Sequence, residues 1–167
     1  TYYDRGRASY EAGQYEKAIE YFDLALEVDP EFANAYTVRG LAHYKQRYLD
    51  EAIDDYNKAV ALNPQDYYSR HNRGLAYYYL GRYQDAIEDQ NVAIEVDPQS
   101  FSAYTFRGLA YYYLGKYAEA ILDFKEAIDL DPQSYDGYWI RGLAYDKLGH
   151  RDLADSDFQK AKDLAGD

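Results

Sequence analysis

Apolar side chains recur at helical spacing in two neighbouring segments whose pattern is typical of the whole chain. The first, Ser102–Leu114, has small or aromatic residues three or four positions apart, and Gly115 follows it as a C-terminal stop. The second, Tyr117–Leu130, ends before Pro132, because proline cannot continue a helix. The apolar stripe of this second segment consists of Ala120, Ile121, Phe124, Ala127 and Ile128. The pattern predicts a pair of amphipathic helices.

This pair of segments recurs every 34 residues. The prolines that share the period are Pro30, Pro64, Pro98 and Pro132. The glycines that share it are Gly6, Gly40, Gly74, Gly108 and Gly142. The alanines are Ala18, Ala52, Ala86, Ala120 and Ala154. A fixed period of this length is typical of one supersecondary unit stacked on copies of itself.

The period divides the chain into five repeats, which are residues 1–32, 33–66, 67–100, 101–134 and 135–167. We therefore predict an all-α fold, a single solenoid of stacked antiparallel helix pairs with about ten helices. The residues predicted to cap the following first helices are Asp66, Ser100 and Ser134. A glycine inside a helix costs about 1 kcal/mol relative to alanine, so we attribute the recurrent glycine to close packing of the two helices.

The composition of the chain disfavours or excludes several classes of function. A formal net charge of −12 disfavours nucleic-acid binding, because phosphates would repel the chain. The absence of cysteine excludes disulfides and thiolate chemistry. No apolar run approaches the roughly 20 residues that cross a bilayer, and no signal peptide is recognisable, so we expect no membrane insertion and favour a cytoplasmic location. The sequence does not start with Met, and we expect a trimmed chain or a fragment that could lack flanking repeats.

Nine positions of the fourth repeat resemble a known repeat family. They are Gly108, Ala110, Tyr111, Gly115, Tyr117, Ala120, Phe124, Ala127 and Pro132. This pattern resembles the tetratricopeptide repeat, and the resemblance covers the whole chain. It implies a right-handed superhelical solenoid whose first helices line a concave face. A pentatricopeptide array, which reads RNA, is the near alternative, but its period is longer and such arrays tend to be basic.

Some positions depart from the family pattern. Arg47 replaces the glycine that follows the first helix in the other repeats, and Gln90 replaces an aromatic residue of the second helix. In the last repeat Arg151 replaces a tyrosine and Lys162 replaces an apolar residue. We expect Lys162 to mark a polar end of the stack, as a terminal repeat needs.

Charged residues also follow the period. The arginines at one position of the first helix are Arg5, Arg39, Arg73, Arg107 and Arg141. The aspartates at one position of the second helix are Asp55, Asp89, Asp123 and Asp157. We predict four ion pairs within repeats, namely Arg39–Asp55, Arg73–Asp89, Arg107–Asp123 and Arg141–Asp157. The first repeat has Tyr21 at the aspartate position, so Arg5 should lack this partner. The alternative is a row of arginines that faces a ligand. We favour partly buried structural pairs, because the residues at the arginine position and at the aspartate position vary together from repeat to repeat.

The first helices hold nine basic and four acidic residues, a net charge of +5, and the rest of the chain carries −17. We expect the acidity on the convex face, where it aids solubility, and a nearly neutral concave face once the arginines are paired. The resemblance places these residues in the groove: Thr37, Leu41, Tyr44, His71, Asn72, Leu75, Tyr78, Tyr79, Thr105, Leu109, Tyr112, Tyr113 and Trp139.

An aromatic and aliphatic strip of this extent predicts an interaction site. The alternative, packing between neighbouring first helices, stays open for the leucines, whereas Tyr44, Tyr78 and Tyr112 favour the groove. We expect a scaffold that binds a peptide or partner segment of unknown identity. The polar residues expected to select it are Thr37, His71, Asn72 and Thr105. Relatives that clamp a chaperone's terminal carboxylate need a residue set of which only Asn72 is present, so we expect no such clamp.

No catalytic or cofactor motif is recognisable, and His43 and His71 are a weak candidate for a metal site. We therefore expect neither an enzyme nor a cofactor. The second hypothesis is a structural, self-assembling or engineered array that forms homo-oligomers by end-to-end stacking. A nine-residue stretch that occurs twice, at Arg73–Gly81 and Arg107–Gly115, indicates recent duplication or consensus-guided engineering. The stacking is expected because no extra capping helix is recognisable, which would leave the terminal faces open to another copy.

Overall fold

The computed structural model describes residues 1–166, which form ten α-helices and no strand. The helices are α1 (Tyr2–Glu11), α2 (Tyr15–Val28), α3 (Ala33–Lys45), α4 (Leu49–Leu62), α5 (Tyr67–Tyr79), α6 (Tyr83–Val96), α7 (Phe101–Tyr113), α8 (Tyr117–Leu130), α9 (Tyr135–Lys147) and α10 (Arg151–Ala165). The predicted all-α repeat fold is confirmed. Helix α8 has the predicted bounds, and α7 lies one residue earlier than predicted.

Two compact units make up the chain. Unit one, Thr1–Gly81, holds α1 to α5, and unit two, from Arg82 onward, holds α6 to α10. Within unit one each helix packs on the next, and α3 also contacts α1 and α5. Within unit two each helix again packs on the next, and α7 also contacts α9. The first helices of each unit therefore lie side by side, in what we call its first-helix layer.

The turn between the two helices of a repeat is built in a constant way. Gly13, Gly81, Gly115 and Gly149 have φ angles between 74° and 78°, a left-handed conformation that glycine adopts at little cost. After Gly115 the backbone N–H of Lys116 donates to the carbonyl of Tyr111 at 2.9 Å, which closes the helix end. Arg47 has a φ of 69° at the corresponding place. An arginine is thus held in a conformation that suits glycine.

The helix starts follow the predicted capping. The side chains of Asp66, Ser100 and Ser134 each accept the backbone N–H three residues later, at 2.7, 3.1 and 3.3 Å respectively. These three predicted N-caps are confirmed. The aspartate before a proline also shapes the turn into the next repeat. Asp97 Oδ1 accepts the backbone N–H of Gln99 at 3.0 Å.

Small residues bring the two helices of a repeat together. A Cβ atom on Gly108 would lie 2.5 Å from Cε1 of Phe124, and one on Gly40 would lie 2.8 Å from Cε1 of Tyr56. No side chain larger than hydrogen fits there without displacing the ring. The period-sharing alanines of the second helices are all buried, namely Ala18, Ala52, Ala86, Ala120 and Ala154. Close packing therefore explains the recurrent glycine, as predicted.

Candidate interaction surface

The guanidinium of Arg39 holds three helices of unit one together. Its Nε donates to Oδ2 of Asp55 at 2.9 Å and its Nη2 to Oδ1 at 2.5 Å, a bidentate pair between α3 and α4. Its Nη1 donates to Oδ1 of Asp23 on α2, also at 2.5 Å. Burial raises the pKa of the Asp55 carboxyl, and the Arg39 guanidinium opposes that rise. The pair with Asp55 is the one that the repeat pattern predicts, and the contact with Asp23 is additional.

The same arrangement recurs in unit two. Arg107 donates to both carboxylate oxygens of Asp123 at 2.8 and 2.6 Å, and its Nη1 donates to Asn91 at 2.8 Å. Arg141 donates to both oxygens of Asp157 at 2.7 Å. Burial disfavours the Arg107 charge, but its bonds to Asp123 outweigh burial and raise the Arg107 pKa. These pairs have the bidentate geometry that fixes an arginine firmly.

In unit one, Arg73 donates to Oδ1 of Asn57 at 2.7 Å, sixteen residues earlier. The predicted pair of Arg73 with Asp89 has one residue in each unit and stays a prediction. Tyrosine rings cover the arginines as well: the Arg39 guanidinium carbon lies 5.5 Å from the Tyr36 ring centre. The arrangement supports the structural interpretation of the arginines over a row that faces a ligand.

The first-helix layer of unit one contains a pocket of about 500 Å³. Val38 and Leu41 of α3 line it together with Tyr3 of α1 and Tyr68 of α5. Arg7 is its cationic residue, and that guanidinium donates to Glu11 at 3.3 Å on the exposed surface of α1. The predicted groove residue Leu41 therefore lies on the surface of the layer rather than wholly inside it.

Two residues predicted to select a ligand are buried instead. Thr37 is 7% exposed, and its hydroxyl hydrogen-bonds Ser69 Oγ at 2.7 Å and the Ala33 carbonyl at 3.2 Å. His71 is 8% exposed and stacks on Tyr67, with ring centres 5.4 Å apart. Thr37 thus meets the neighbouring first helix and also lines the pocket of unit one, whereas His71 stacks on a residue of its own helix. That these two residues select a ligand stays a prediction. Asn72 and Leu75, on the same helix as His71, are half-buried.

Tyrosines of three successive first helices form what we call the tyrosine strip of unit one, consisting of Tyr10, Tyr44, Tyr78 and Tyr79. Tyr44 and Tyr79 lie 6.1 Å apart between ring centres, and Tyr78 meets Tyr79 edge-on at 5.3 Å. Burial, followed by the neighbouring Tyr79, raises the pKa of Tyr44 to about 12. Tyr79 is 47% exposed. The strip therefore combines half-buried rings with an accessible one.

Tyr56 of α4 lies beneath this strip. It is fully buried, and its hydroxyl makes no hydrogen bond. Burial raises its pKa well above the ordinary value, and the nearby Tyr10 and Tyr44 raise it further. The phenol groups of α1 and α3 thus lie close together over one second helix.

Unit two repeats part of this pattern. Tyr112 packs against the core formed by Ala120, Phe124 and Ala144, and so does Leu109. Tyr113 is 56% exposed, stacks on Tyr83 at 5.1 Å and meets Tyr112 edge-on at 5.6 Å. Leu109 and Tyr112 therefore serve the core as well as the surface, as the alternative interpretation allowed.

The two remaining predicted groove residues of unit two differ in accessibility. The Thr105 hydroxyl donates to the Phe101 carbonyl at 2.9 Å, so it serves its own helix. Trp139 is 48% exposed, although one side of its ring packs on Phe158 with centres 4.9 Å apart. Among residues 1–166, no group of three or more His, Asp or Glu side chains is placed to bind a metal ion. No helix of that range is long and apolar enough to cross a membrane.

Sequence models of one repeat family match almost the whole chain. Three that are described as "Tetratricopeptide repeat" match residues 3–67, 55–88 and 135–167. A fourth, described as "TPR repeat", matches residues 74–115 and 108–149. A comparison with curated proteins gave no significant match.

Solved structures of MamA are similar to this chain. One is 26% identical with a TM-score of 0.93, and the match covers 96% of this chain and 94% of MamA. Another is 27% identical with a TM-score of 0.93 and covers 98% and 89%. MamA of Desulfovibrio magneticus RS-1 is 20% identical with a TM-score of 0.95 over 98% and 93%, a likeness of fold alone. Together with the family matches, these relatives support a protein-interaction scaffold, a class of protein that is typically not enzymatic.

Proposed function

The chain belongs to the tetratricopeptide repeat family, and from that premise we propose that its first-helix layers bind a peptide or an exposed segment of a partner protein. The observation that carries the proposal is the tyrosine strip, whose rings are only partly covered. Tyrosine offers a large apolar ring and a polar hydroxyl at low entropic cost, which is why it is enriched in binding hot spots.

The anchors that we propose are Tyr44 and Tyr78 in unit one and Tyr112 in unit two, with Tyr79, Tyr113 and Trp139 beside them. Asn72, Leu41, Leu75 and Leu109 would border the contact, whereas Thr37 and His71 are largely buried. The recurrent arginines Arg39, Arg73, Arg107 and Arg141 are engaged by aspartate and asparagine side chains, and Arg7 is engaged by Glu11. A surface whose arginines are largely paired should bind its partner with an affinity that salt changes little.

A capture experiment tests the proposal. The chain and the triple variant Tyr44→Ala/Tyr78→Ala/Tyr112→Ala would be used as baits for partners in lysate, after circular dichroism has shown equal helix content. The matched control replaces three exposed tyrosines outside the proposed anchors, Tyr2→Ala/Tyr48→Ala/Tyr135→Ala. We expect the anchor variant alone to lose a partner. A partner that both variants retain equally, or a steep loss of its binding with salt, would contradict the proposal.

Self-association is the second candidate function, and one observation favours it. A pocket of about 730 Å³ lies between α1 and α2, and Val28 at its edge is 76% exposed. Another copy of the chain could cover this apolar surface. Sedimentation velocity would detect a mass that rises with concentration, and Val28→Lys should abolish that rise. A mass that stays constant over the accessible concentrations would exclude this function.

A further inference from the structure

We infer that Tyr83 and Tyr113 form an oxidative modification site, at which a one-electron oxidant joins the two rings as an intramolecular dityrosine cross-link. This inference goes beyond the proposed function and does not depend on it. Tyr83 is the first residue of α6, Tyr113 is the last residue of α7, and both belong to unit two. The two rings therefore come from consecutive repeats.

The first argument is the orientation of the rings. The ring centres of Tyr83 and Tyr113 lie 5.1 Å apart and the ring planes are inclined by 9°, so the rings are stacked. A tyrosyl radical carries part of its unpaired electron on the Cε carbons, in orbitals perpendicular to the ring. Stacked rings direct these orbitals towards each other, whereas edge-on rings do not. Tyr112 and Tyr117 lie at a similar distance, 5.3 Å, but at an angle of 65°, so they are less suited to coupling.

The second argument is access. Tyr113 is 56% exposed and Tyr83 is half-buried, so an oxidant in solution can reach the pair and the phenol protons can pass to water. Tyr112 meets Tyr113 edge-on at 5.6 Å. Because an electron passes readily between rings in contact, a radical that forms first on Tyr112 can also move to Tyr113.

The third argument is the composition of the chain. The sequence has 23 tyrosines and one tryptophan, but neither cysteine nor methionine. Cysteine and methionine are common targets of oxidation, and here neither competes with tyrosine. A chain without cysteine cannot form a disulfide. A dityrosine link would tie α6 to α7 and would restrain the unfolded chain, as a disulfide does.

The cross-linking step balances with a one-electron oxidant. Each phenol gives one electron to the oxidant and one proton to water. The two radicals then couple through a new bond between one Cε carbon of each ring. Each of these carbons loses its hydrogen as a proton while a proton returns to each oxygen, which restores two aromatic phenols. The product is lighter by two hydrogen atoms, and persulfate as the final acceptor takes both electrons and splits its O–O bond to give two sulfate ions.

Illumination of the dilute chain with a ruthenium tris-bipyridyl complex and persulfate tests the inference. Rings that the fold holds together couple faster than rings of separate chains. Dityrosine fluorescence of the band that still migrates as a single chain on a denaturing gel therefore measures the intramolecular link. Trypsin should release residues 83–107 joined to residues 108–116, with two hydrogens fewer than the separate peptides. Fragmentation of this product should place the link on Tyr83 and Tyr113.

We expect Tyr83→Phe to lose most of this fluorescence, because phenylalanine keeps a stacked ring but forms no phenoxyl radical. The matched control is Tyr117→Phe, which removes one ring of the edge-on pair with Tyr112 and should keep most of the fluorescence. Circular dichroism should show equal helix content in both variants. The original chain unfolded in urea should give no more of the link than folded Tyr83→Phe, since unfolding separates the rings.

Equal losses of fluorescence in Tyr83→Phe and Tyr117→Phe would overturn the inference. Joined peptides in which the link avoids Tyr83, or a dityrosine that forms only between chains, would overturn it as well. An equal yield from the folded and the unfolded chain would show that the stacked geometry does not direct the coupling, which is the premise of the inference.

Discussion

Arg39 and Asp55 form a bidentate pair across α3 and α4, and Arg39 also reaches Asp23 on α2. The two aspartates lie sixteen residues before and after the arginine. Arg107 makes the equivalent contacts with Asn91 and Asp123. One side chain thereby links the second helices of two successive repeats through the first helix between them, and it fixes how the repeats are stacked.

Asp123→Ala should lower the free energy of unfolding by about 3 kcal/mol, because the partly buried Arg107 would keep a hydrogen bond to Asn91 but lose its countercharge. The double variant Arg107→Met/Asp123→Leu should have a free energy of unfolding much closer to that of the original chain, since it removes both charges and keeps a similar side-chain volume. Urea unfolding followed by circular dichroism measures both.

The matched control for the ion pair is Glu11→Ala, which breaks the exposed pair with Arg7 and should change stability by no more than about 0.5 kcal/mol. If the double variant were as unstable as Asp123→Ala, the cost would come from lost contacts and not from the unpaired charge.

Arg47→Gly should raise the free energy of unfolding by about 0.5–1 kcal/mol. Arg47 has a φ of 69°, and the left-handed region costs a residue with a Cβ atom about 1–2 kcal/mol, part of which the greater freedom of glycine in the unfolded chain offsets. The control is Lys58→Gly, at an exposed position inside α4, which should lower stability by roughly 1 kcal/mol. A loss of stability in Arg47→Gly would mean that the arginine side chain makes a contact that outweighs its backbone strain.

Tyr56→Phe should raise stability by about 1–2 kcal/mol, because the buried hydroxyl of Tyr56 has no hydrogen-bond partner. Three other repeats have phenylalanine at this position, namely Phe22, Phe124 and Phe158. The reciprocal variant, Phe124→Tyr, should be destabilised by a similar amount. Thermal unfolding of both variants measures these two changes in stability. Equal stabilities would indicate that a buried water satisfies the hydroxyl.

Sequence periodicity was sufficient for the helices and for the pairs of Arg39, Arg107 and Arg141 with the aspartates of their own repeats. The bounds of α8 follow from the stripe around Phe124 and from Pro132, since a proline ends a helix by local sterics alone. The second contacts of Arg39, Arg73 and Arg107 were missed, because Asp23, Asn57 and Asn91 belong to the preceding repeat. These residues stand sixteen positions before the three arginines, and that spacing was the signal that could have revealed them.

The accessible surface was harder to predict than the fold. Thr37 and His71 occupy positions that face the groove in the family, yet both are buried here. The hydroxyl of Thr37 meets Ser69 on the next first helix, and the ring of His71 stacks on Tyr67. Burial of this kind depends on the particular partner side chain, which is on the next first helix for Thr37 and on the same helix for His71, and a periodic pattern does not specify that partner.

Alkaline pH should destabilise the fold, because tyrosines of the first helices and of α4 hold their protons more tightly in the folded chain than in the unfolded chain. Burial raises the pKa of Tyr44 to about 12 from an ordinary value of 10.0, and it raises the pKa of Tyr10 and Tyr56 as well. The unfolded chain therefore releases these protons at a lower pH than the folded chain does. Between those pH values the folded state binds more protons, so its stability falls as pH increases. The stabilisation is fully present below pH 10 and is lost as pH rises through about 12.

Urea unfolding at a series of pH values, with tyrosinate absorbance followed in parallel, measures this loss. Tyr44→Phe should flatten the decline above pH 10, because it removes one of the groups whose pKa differs between the folded and unfolded states. Its stability below pH 10 serves as its own control and reports the cost of losing the hydroxyl contact with Tyr79. Parallel curves for the variant and the original chain across the whole range would show that Tyr44 is not protected from ionisation. In that case its hydroxyl would have to be more open to solvent than the strip geometry implies.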